Sequence, residues 1–397
     1  MELIKYKLGD VCTFINGRAY SQPELLDSGK YKVLRVGNIF DGNHWYYSDM
    51  ELEEDKYCNE GDLLYSWACT FGPYIWHGPK TIYHYHIWKV KPNDSLVDKS
   101  FLYYFLNHQT KGFMGSTHGS TMIHITKENM ENFEVLLPSL KDQKKIASVL
   151  SALDDKIALN KKMNQKLEAM AKRLYDYWFV QYDFPDKNGL PYKTTGGPMT
   201  YNPTLKREIP AGWEVKSIFD AADVCYGFPF ATEPFDEENL GESLKPYSVI
   251  RIRDIKDGSI SAKTTETTND KYKTEEGDLL VGMDGFFHMN FWHRNGDYVN
   301  QRIVRIRKKN LSTLVVYHQI APFIKFKEEQ AKGSTVGHLS DKDMKQLFIL
   351  VPDSSSLSAR FDSILNLMMK QNAENEKLIT LRNRLLPLLM NGQITIG

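Results

Sequence analysis

The chain is poor in the features that place a protein in a membrane or outside the cell. No apolar run approaches the ~18 residues of a spanning helix, and MELIKYKLGD lacks a signal-peptide pattern. The four cysteines, Cys12, Cys58, Cys69 and Cys225, form no CxxC pair, so reduced thiols and a cytoplasmic setting are expected. Net charge is missing too, with 50 Lys plus Arg against 50 Asp plus Glu. That balance argues against a general polyanion binder and leaves room for a local basic or aromatic groove.

Catalytic motifs are equally scarce. KGSTVGHLS (332–340) has the letters of a phosphate-binding loop but not their order, and no GxGxxG follows a strand. Tyr201-Asn202-Pro203-Thr204 is a near miss to the Asn-Pro-Pro-Tyr type of motif that positions a flipped adenine. No cofactor loop precedes it, so it reads as linker. Pro185-Asp186 with Lys187 lacks the second acid of a metal nuclease. His84 and His86 would share one face of a strand and could ligate a metal, but Asn300 and Arg302 stand at the matching positions and bind none. The expectation is a chain with no catalysis, cofactor or metal of its own.

What is present begins with a stripe. From Lys141 to about Asp183, apolar residues fall alternately four and three apart: Ile146, Leu150, Leu153, Ile157, then Leu167, Ala171, Leu174 and Trp178. Asn160 and Asn164 occupy the middle of the seam. Spacing near 3.5 marks a helix packed lengthwise on another helix, here roughly 50–60 Å long. A second seam runs Phe361, Leu365, Met368, Asn372, Asn375, Ile379, Arg382, Leu386, Leu389 and stops at Asn391-Gly392. If the helices are antiparallel, Asn160 and Asn164 face Asn372 and Asn375. A polar residue on a seam sacrifices stability to fix register. The alternative is an ordinary amphipathic hairpin whose Asn residues face water.

The chain also repeats itself. YKVLRVGNIFDG (31–42) recurs as YSVIRIRDIKDG (247–258), an offset of 216 positions (247 − 31). At that offset Gly61-Asp62-Leu63-Leu64 returns as Gly277-Asp278-Leu279-Leu280, and Trp76-His77 as Trp292-His293. With two residues lost, Gly119-Ser120-Thr121, His124 and Val135–Pro138 return as Gly333-Ser334-Thr335, His338 and Ile349–Pro352. A period this long means two domains rather than a solenoid. The expected fold is α+β: two similar mixed α/β globular domains separated by two long antiparallel helices as a coiled-coil-like spacer, with a pseudo-two-fold axis. The expected divisions are 1–140, helix 141–183, an irregular Pro/Gly-rich linker 184–212, 213–353 and helix 354–397. Leu102–Asn107 and Val315–Lys325 read as short helices.

Where the copies differ is informative. The segments after GDLL (65–76 and 281–292), HYH against NQR, and GRAY (17–20) against GFPF (227–230) diverge inside a shared frame. That is what two readers of two different sequences would show, and DNA is the natural object for two heads held a set distance apart. The candidate contacts in the first domain are Arg18, Tyr20, Ser66, Trp67, Thr70, His84, Tyr85, His86, Ser120 and Thr121. In the second they are Phe228, Phe230, Met283, Asp284, Phe286, Asn300, Gln301, Arg302, Ser334 and Thr335. Asn300 and Gln301 suit adenine and Arg302 suits guanine, while the aromatics could wedge or stack. A rival reading makes these loops a carbohydrate- or protein-binding surface.

The start DVCTFINGRAY, GDLL, GSTMIHIT, LPSLKDQKKIASVLSALDDKI, FPDKNGLPYKTTGGPMTYN, IPAGWEV and the closing LRNRLLPLLMNGQI carry a resemblance. Over essentially its whole length the chain resembles the specificity (S) subunit of type I restriction–modification enzymes. The resemblance implies two target recognition domains, each reading half of a bipartite double-stranded DNA site. It implies helices that set the spacer and bind two methyltransferase (M) subunits carrying S-adenosylmethionine chemistry at adenine N6. It also implies motor–nuclease (R) subunits that use ATP and Mg. The second half has no counterpart to QYDFPDKNGLPYK, so the two-fold is imperfect there.

Overall fold

The computed structural model describes residues 2–40, 42, 44–115, 125–231, 246–331 and 337–396. The chain divides into two compact units, residues 1–157 with 378–397, and residues 158–377. Both divisions fall inside long helices, so the second unit is an uninterrupted stretch nested within the first.

In the first unit, strand Ile4–Lys7 pairs antiparallel with Glu134–Leu137 and clasps the entrance of the head to its exit. Between them lies an antiparallel sheet in the order Cys12–Asn16, Ile87–Pro92, Leu63–Ser66, Gly72–Ile75. A second sheet runs Tyr46–Ser48, Tyr31–Leu34, Thr81–Tyr83, Tyr57–Cys58, with its middle pair parallel. The Leu-Leu of GDLL explains how the layers join. Neighbouring strand residues point to opposite faces. Leu63 therefore joins Phe14, Val90 and the helix residues Phe101 and Phe105 in one core, while Leu64 joins Leu34, Tyr83 and Ile87 in another. A strand buried on both faces reads as a continuous apolar run rather than an alternation.

The second unit repeats this order: Ala222–Tyr226, Ile303–Lys308, Asp278–Gly282, Met289–Trp292. Its other sheet is Ala262–Thr264, Tyr247–Ile250, Tyr298–Val299, again with a parallel pair, and Glu214–Ser217 pairs with Phe348–Val351 as the clasp. Leu279 and Leu280 divide between two cores as Leu63 and Leu64 do.

The long helices are Leu140–Tyr175 and Ser355–Met390, each of 36 residues. Ser139 starts the first by accepting a hydrogen bond from the Asp142 amide at 3.2 Å, which meets one otherwise orphaned N–H. Gly392, at φ +68°, ends the second in the left-handed region that other residues avoid. Within the first unit Arg382 Nη1 donates to Asp154 Oδ1 at 2.6 Å, and Leu389 and Met390 pack with Ile146 and Leu150. Within the second, Asn160 Nδ2 donates to Asn375 Oδ1 at 3.0 Å and to Glu374 Oε2 at 2.8 Å, and Asn164 Nδ2 donates to Asn372 Oδ1 at 2.7 Å. The helices therefore run antiparallel in each unit. Asn160, Asn164 and Asn375 are buried and Asn372 half-buried, which excludes the hairpin with Asn residues facing water.

Several expectations need correction. The first long helix gives way at Asp176–Val180 to a wider π-type turn, which turns Trp178 and Phe179 into the core, so it does not continue to 183. The linker is not irregular throughout, because Met199–Asn202 and Arg207–Pro210 form a hairpin and Phe184 stacks on Trp213 at 4.9 Å. The short helices are longer than read, at Lys99–Gly115 and Thr313–Ala331. HYH and NQR are turns rather than strand faces. Ile87 N donates to His84 O at 3.0 Å, and Ile303 N to Asn300 O at 3.0 Å.

Candidate nucleic-acid interface

A missing side chain builds each site. A Cβ on Gly17 would lie 2.4 Å from the Tyr83 and His84 carbonyl oxygens, and one on Gly227 would lie 2.1 Å from that of Asn300. Glycine alone lets the segment leaving the first strand cross the turn at 84–86 or 300–302. The crossings are tied alike. Arg18 N donates to Tyr83 O at 3.0 Å and Tyr85 N to Arg18 O at 3.0 Å; Phe228 N donates to Val299 O at 2.8 Å and Gln301 N to Phe228 O at 3.0 Å. The segment after GDLL joins from the other side, through Trp67 N to His86 O at 3.2 Å and Met283 N to Arg302 O at 2.9 Å. In each unit, therefore, all three divergent segments converge on one place.

The two sites differ in chemistry. In the first unit Trp88 stacks on Trp67 (ring centroids 5.7 Å apart), and His86 meets Trp67 edge to face at 5.1 Å. His84 lies 4.9 Å from His86 and stacks on Tyr20 at 6.3 Å. Burial, then the charges of His86 and Arg35, push His84 down to about 4, so it stays neutral at neutral pH. Arg18 lies over Tyr20 and donates to Glu24 Oε1 at 2.6 Å, and that bond pulls the Glu24 carboxyl down to about 2.

In the second unit the turn opens on a cleft of about 1070 Å³. Arg251, Arg253, Lys256, Lys263 and Arg302 line it, and Asp284 is the one carboxylate among the described lining residues. Phe286 stands at its edge, 65 % exposed, stacked on His288 at 5.6 Å. Arg302 Nη1 lies 3.1 Å from Asp284 Oδ2, and His338 Nδ1 lies 2.5 Å from Asp284 Oδ1. Asn300 is half-buried, with its side-chain oxygen accepting from Arg302 N at 3.3 Å.

Some candidate contacts are corrected by burial. Ser66 is fully buried and its hydroxyl donates to Ala68 O, so it belongs to the strand end. Met283 and Phe230 are buried in the cores of the second unit. Trp67 spends its Nε1–H on Tyr85 O at 2.9 Å, so the indole cannot donate to a base in this arrangement. Tyr85, Thr70, Phe286 and Arg302 are exposed. Ser120, Thr121, Ser334 and Thr335 lie outside the described residues. The basic wall was missed. The signal was available in the alignment of the copies, where Arg253, Lys256 and Lys263 stand opposite Gly37, Phe40 and Tyr47.

A family model for the type I restriction modification DNA specificity domain matches residues 2–169 and again 210–364, one match to each repeat. The chain belongs to this family. Among its relatives, the type I restriction enzyme MjaIX specificity subunit of Methanocaldococcus jannaschii is 26% identical over 77% of this chain and 71% of its own. The HindI specificity subunit of Haemophilus influenzae is 22% identical over 98% of this chain and 99% of its own. The crystal structure of a type I restriction-modification S subunit from M. genitalium shares the fold, with a TM-score of 0.56 at 17% identity, covering 98% of this chain and 96% of that one. Among the described residues no cluster of three or more His, Cys, Asp or Glu could hold a metal ion, and no helix is long and apolar enough to cross a membrane.

Proposed function

We propose that this chain is the DNA-specificity subunit of a cytoplasmic type I restriction–modification complex and catalyses nothing itself. Each unit carries a target recognition domain that reads one half of a bipartite duplex site. The paired helices act as a coiled-coil spacer around a pseudo-two-fold axis and set the length of unread DNA between the halves. Two M subunits dock on the chain and bring S-adenosylmethionine chemistry to an adenine, while R subunits supply ATP- and Mg-dependent translocation and cleavage.

One observation carries this reading: three divergent segments converge on the same point of the same frame twice. A binder of one carbohydrate or one protein has no reason to keep the frame while changing the segments that meet at its site. The chemistry suits duplex DNA, because a wall of Arg and Lys neutralises phosphates and the exposed side chains at the turn can reach base edges. The test exchanges residues 1–140 for the equivalent domain of a relative and maps methylated adenines with the M subunit present. One half-site should change while the other stays; a change in both would refute independent reading.

A further inference from the structure

We propose that the second recognition domain reads a guanine with Arg302, and that Asp284, itself held by His338, is the positioning residue that aims it. The inference rests on the DNA-specificity reading above and goes further, because it names a base and the residues that select it.

Backbone ties fix the three residues together. Met283 N donates to Arg302 O at 2.9 Å, Leu339 N donates to Met283 O at 2.7 Å, and Asp284 and His338 form an antiparallel bridge. The Asp284 carboxylate then meets one partner on each oxygen, Arg302 Nη1 at 3.1 Å and His338 Nδ1 at 2.5 Å. Its side chain is only 23% exposed while that of Arg302 is 56% exposed. The carboxylate is thus seated in the protein and the guanidinium stands out into the cleft.

The choice of guanine follows from the donors. A guanidinium has five N–H groups in a planar fork and no acceptor, and this pair engages Nη1. Guanine alone offers two acceptors, N7 and O6, side by side in the major groove; adenine and cytosine each set an amino donor against the fork. A carboxylate that already orders the long side chain lowers the entropy lost when it docks. The surrounding wall of Arg251, Arg253, Lys256 and Lys263 suits phosphates, which place the duplex but do not choose a base.

The first domain argues that the pair is not scaffolding. At the matching positions it carries Ala68 for Asp284 and His86 for Arg302, while the strands on either side keep their order. The frame folds without the pair, so the pair belongs to what differs between the readers.

The test uses the full chain with its M subunit and long-read mapping of methylated adenines. Arg302→Gln should relax one position of the second half-site from guanine to any base, a loss of discrimination of roughly ten- to a hundredfold, and leave the first half-site intact. Asp284→Asn should relax the same position more weakly. Lys256→Ala should weaken methylation at every site equally, steepen nothing in the motif and reduce the salt dependence of binding. A motif unchanged in Arg302→Gln, a relaxed position that is not guanine, or an Asp284→Asn variant that weakens all positions alike would overturn the inference while leaving the DNA-specificity reading intact. A wild-type complex that methylates no split site would overturn both.

Discussion

Replacing Asn160 by leucine should destabilise the second unit, and replacing its partner as well should repair it. Asn160 is 1% exposed and Asn375 7%. Asn160→Leu removes the 3.0 Å bond to Asn375 and the 2.8 Å bond to Glu374, and leaves the Asn375 oxygen facing an apolar side chain. A buried acceptor stripped of its donor costs ~1–3 kcal/mol. Asn375→Leu leaves the Asn160 amide short of one acceptor and costs a similar amount. The double leucine variant strands neither amide and adds apolar contact to the seam, and the half-buried Glu374 loses only its bond to Asn160, so the double variant should recover most of either single loss. Taking about 2 kcal/mol for each single change, and ~2–4 °C per kcal/mol for a unit of this size, each should melt about 4–8 °C lower. Calorimetry on the full chain reads this, and the two changes must be strongly non-additive. Additive losses would refute the account of a matched polar pair. A second readout tests the register role: with the remaining pair, Asn164 and Asn372, replaced by leucine as well, the helices can slip by a heptad, and methylation should appear at sites with more than one spacer length. A stable variant with all four asparagines replaced and one unchanged spacer would show that the Asn pairs do not set register.

Two further outcomes are expected. Inserting four residues beside Asn160 adds about 6 Å of helix, against ~3.4 Å per base-pair step, so the spacer should change by one or two base pairs with both half-sites kept; an active insertion variant with an unchanged spacer would mean the helices do not measure it. Burial beside Tyr175, then the charge of Lys172, pushes His318 down to about 4. Its folded value lies below the unfolded ~6.5, so this contribution to stability is complete above that pH and is lost as pH falls toward 4. His318→Phe should flatten the fall in melting temperature of the second unit across that window, and an identical fall in parent and variant would exclude His318 as its source.

Much of the architecture was legible because it was written twice or at regular spacing. The seam residues Ile146, Leu150 and Ile157 are buried as their period demands, and the asparagines between them are hydrogen bonded across the helices. The recurring GDLL marks the same central strand in both units. The basic wall was not legible, because it is assembled over distance. Arg251 and Arg253 reach the turn at 300–302 only through the parallel pairing of Tyr247–Ile250 with Tyr298–Val299. Parallel pairs need long crossovers, and no local pattern announces where the two strands meet. Ser66 and Met283 were misread for the opposite reason. They stand near the start of divergent segments, yet Ser66 is the buried last residue of its strand and Met283 the buried residue just after one, and the variable chemistry starts later. HYH alternates like a strand, but its carbonyl and amide groups close a turn.

The nesting of one unit inside the other sets an order for synthesis on the ribosome. Everything the second unit packs together is made once residue 377 has emerged. The first unit is begun earlier and finished later, because Leu389 and Met390 fill its core beside Ile146 and Leu150. At ~5–20 residues per second, the stretch from 157 to 390 takes on the order of ten to fifty seconds to make. During that time the first head has its clasp and sheets but an uncovered apolar stripe on its helix. The half made first is thus the half exposed longest, and a ribosome that stalls after 377 releases a chain whose second head is whole and whose first is sticky. Surveillance by chaperones and proteases would fall on that stripe, so broken messages would yield degraded protein rather than a reader with a single working head.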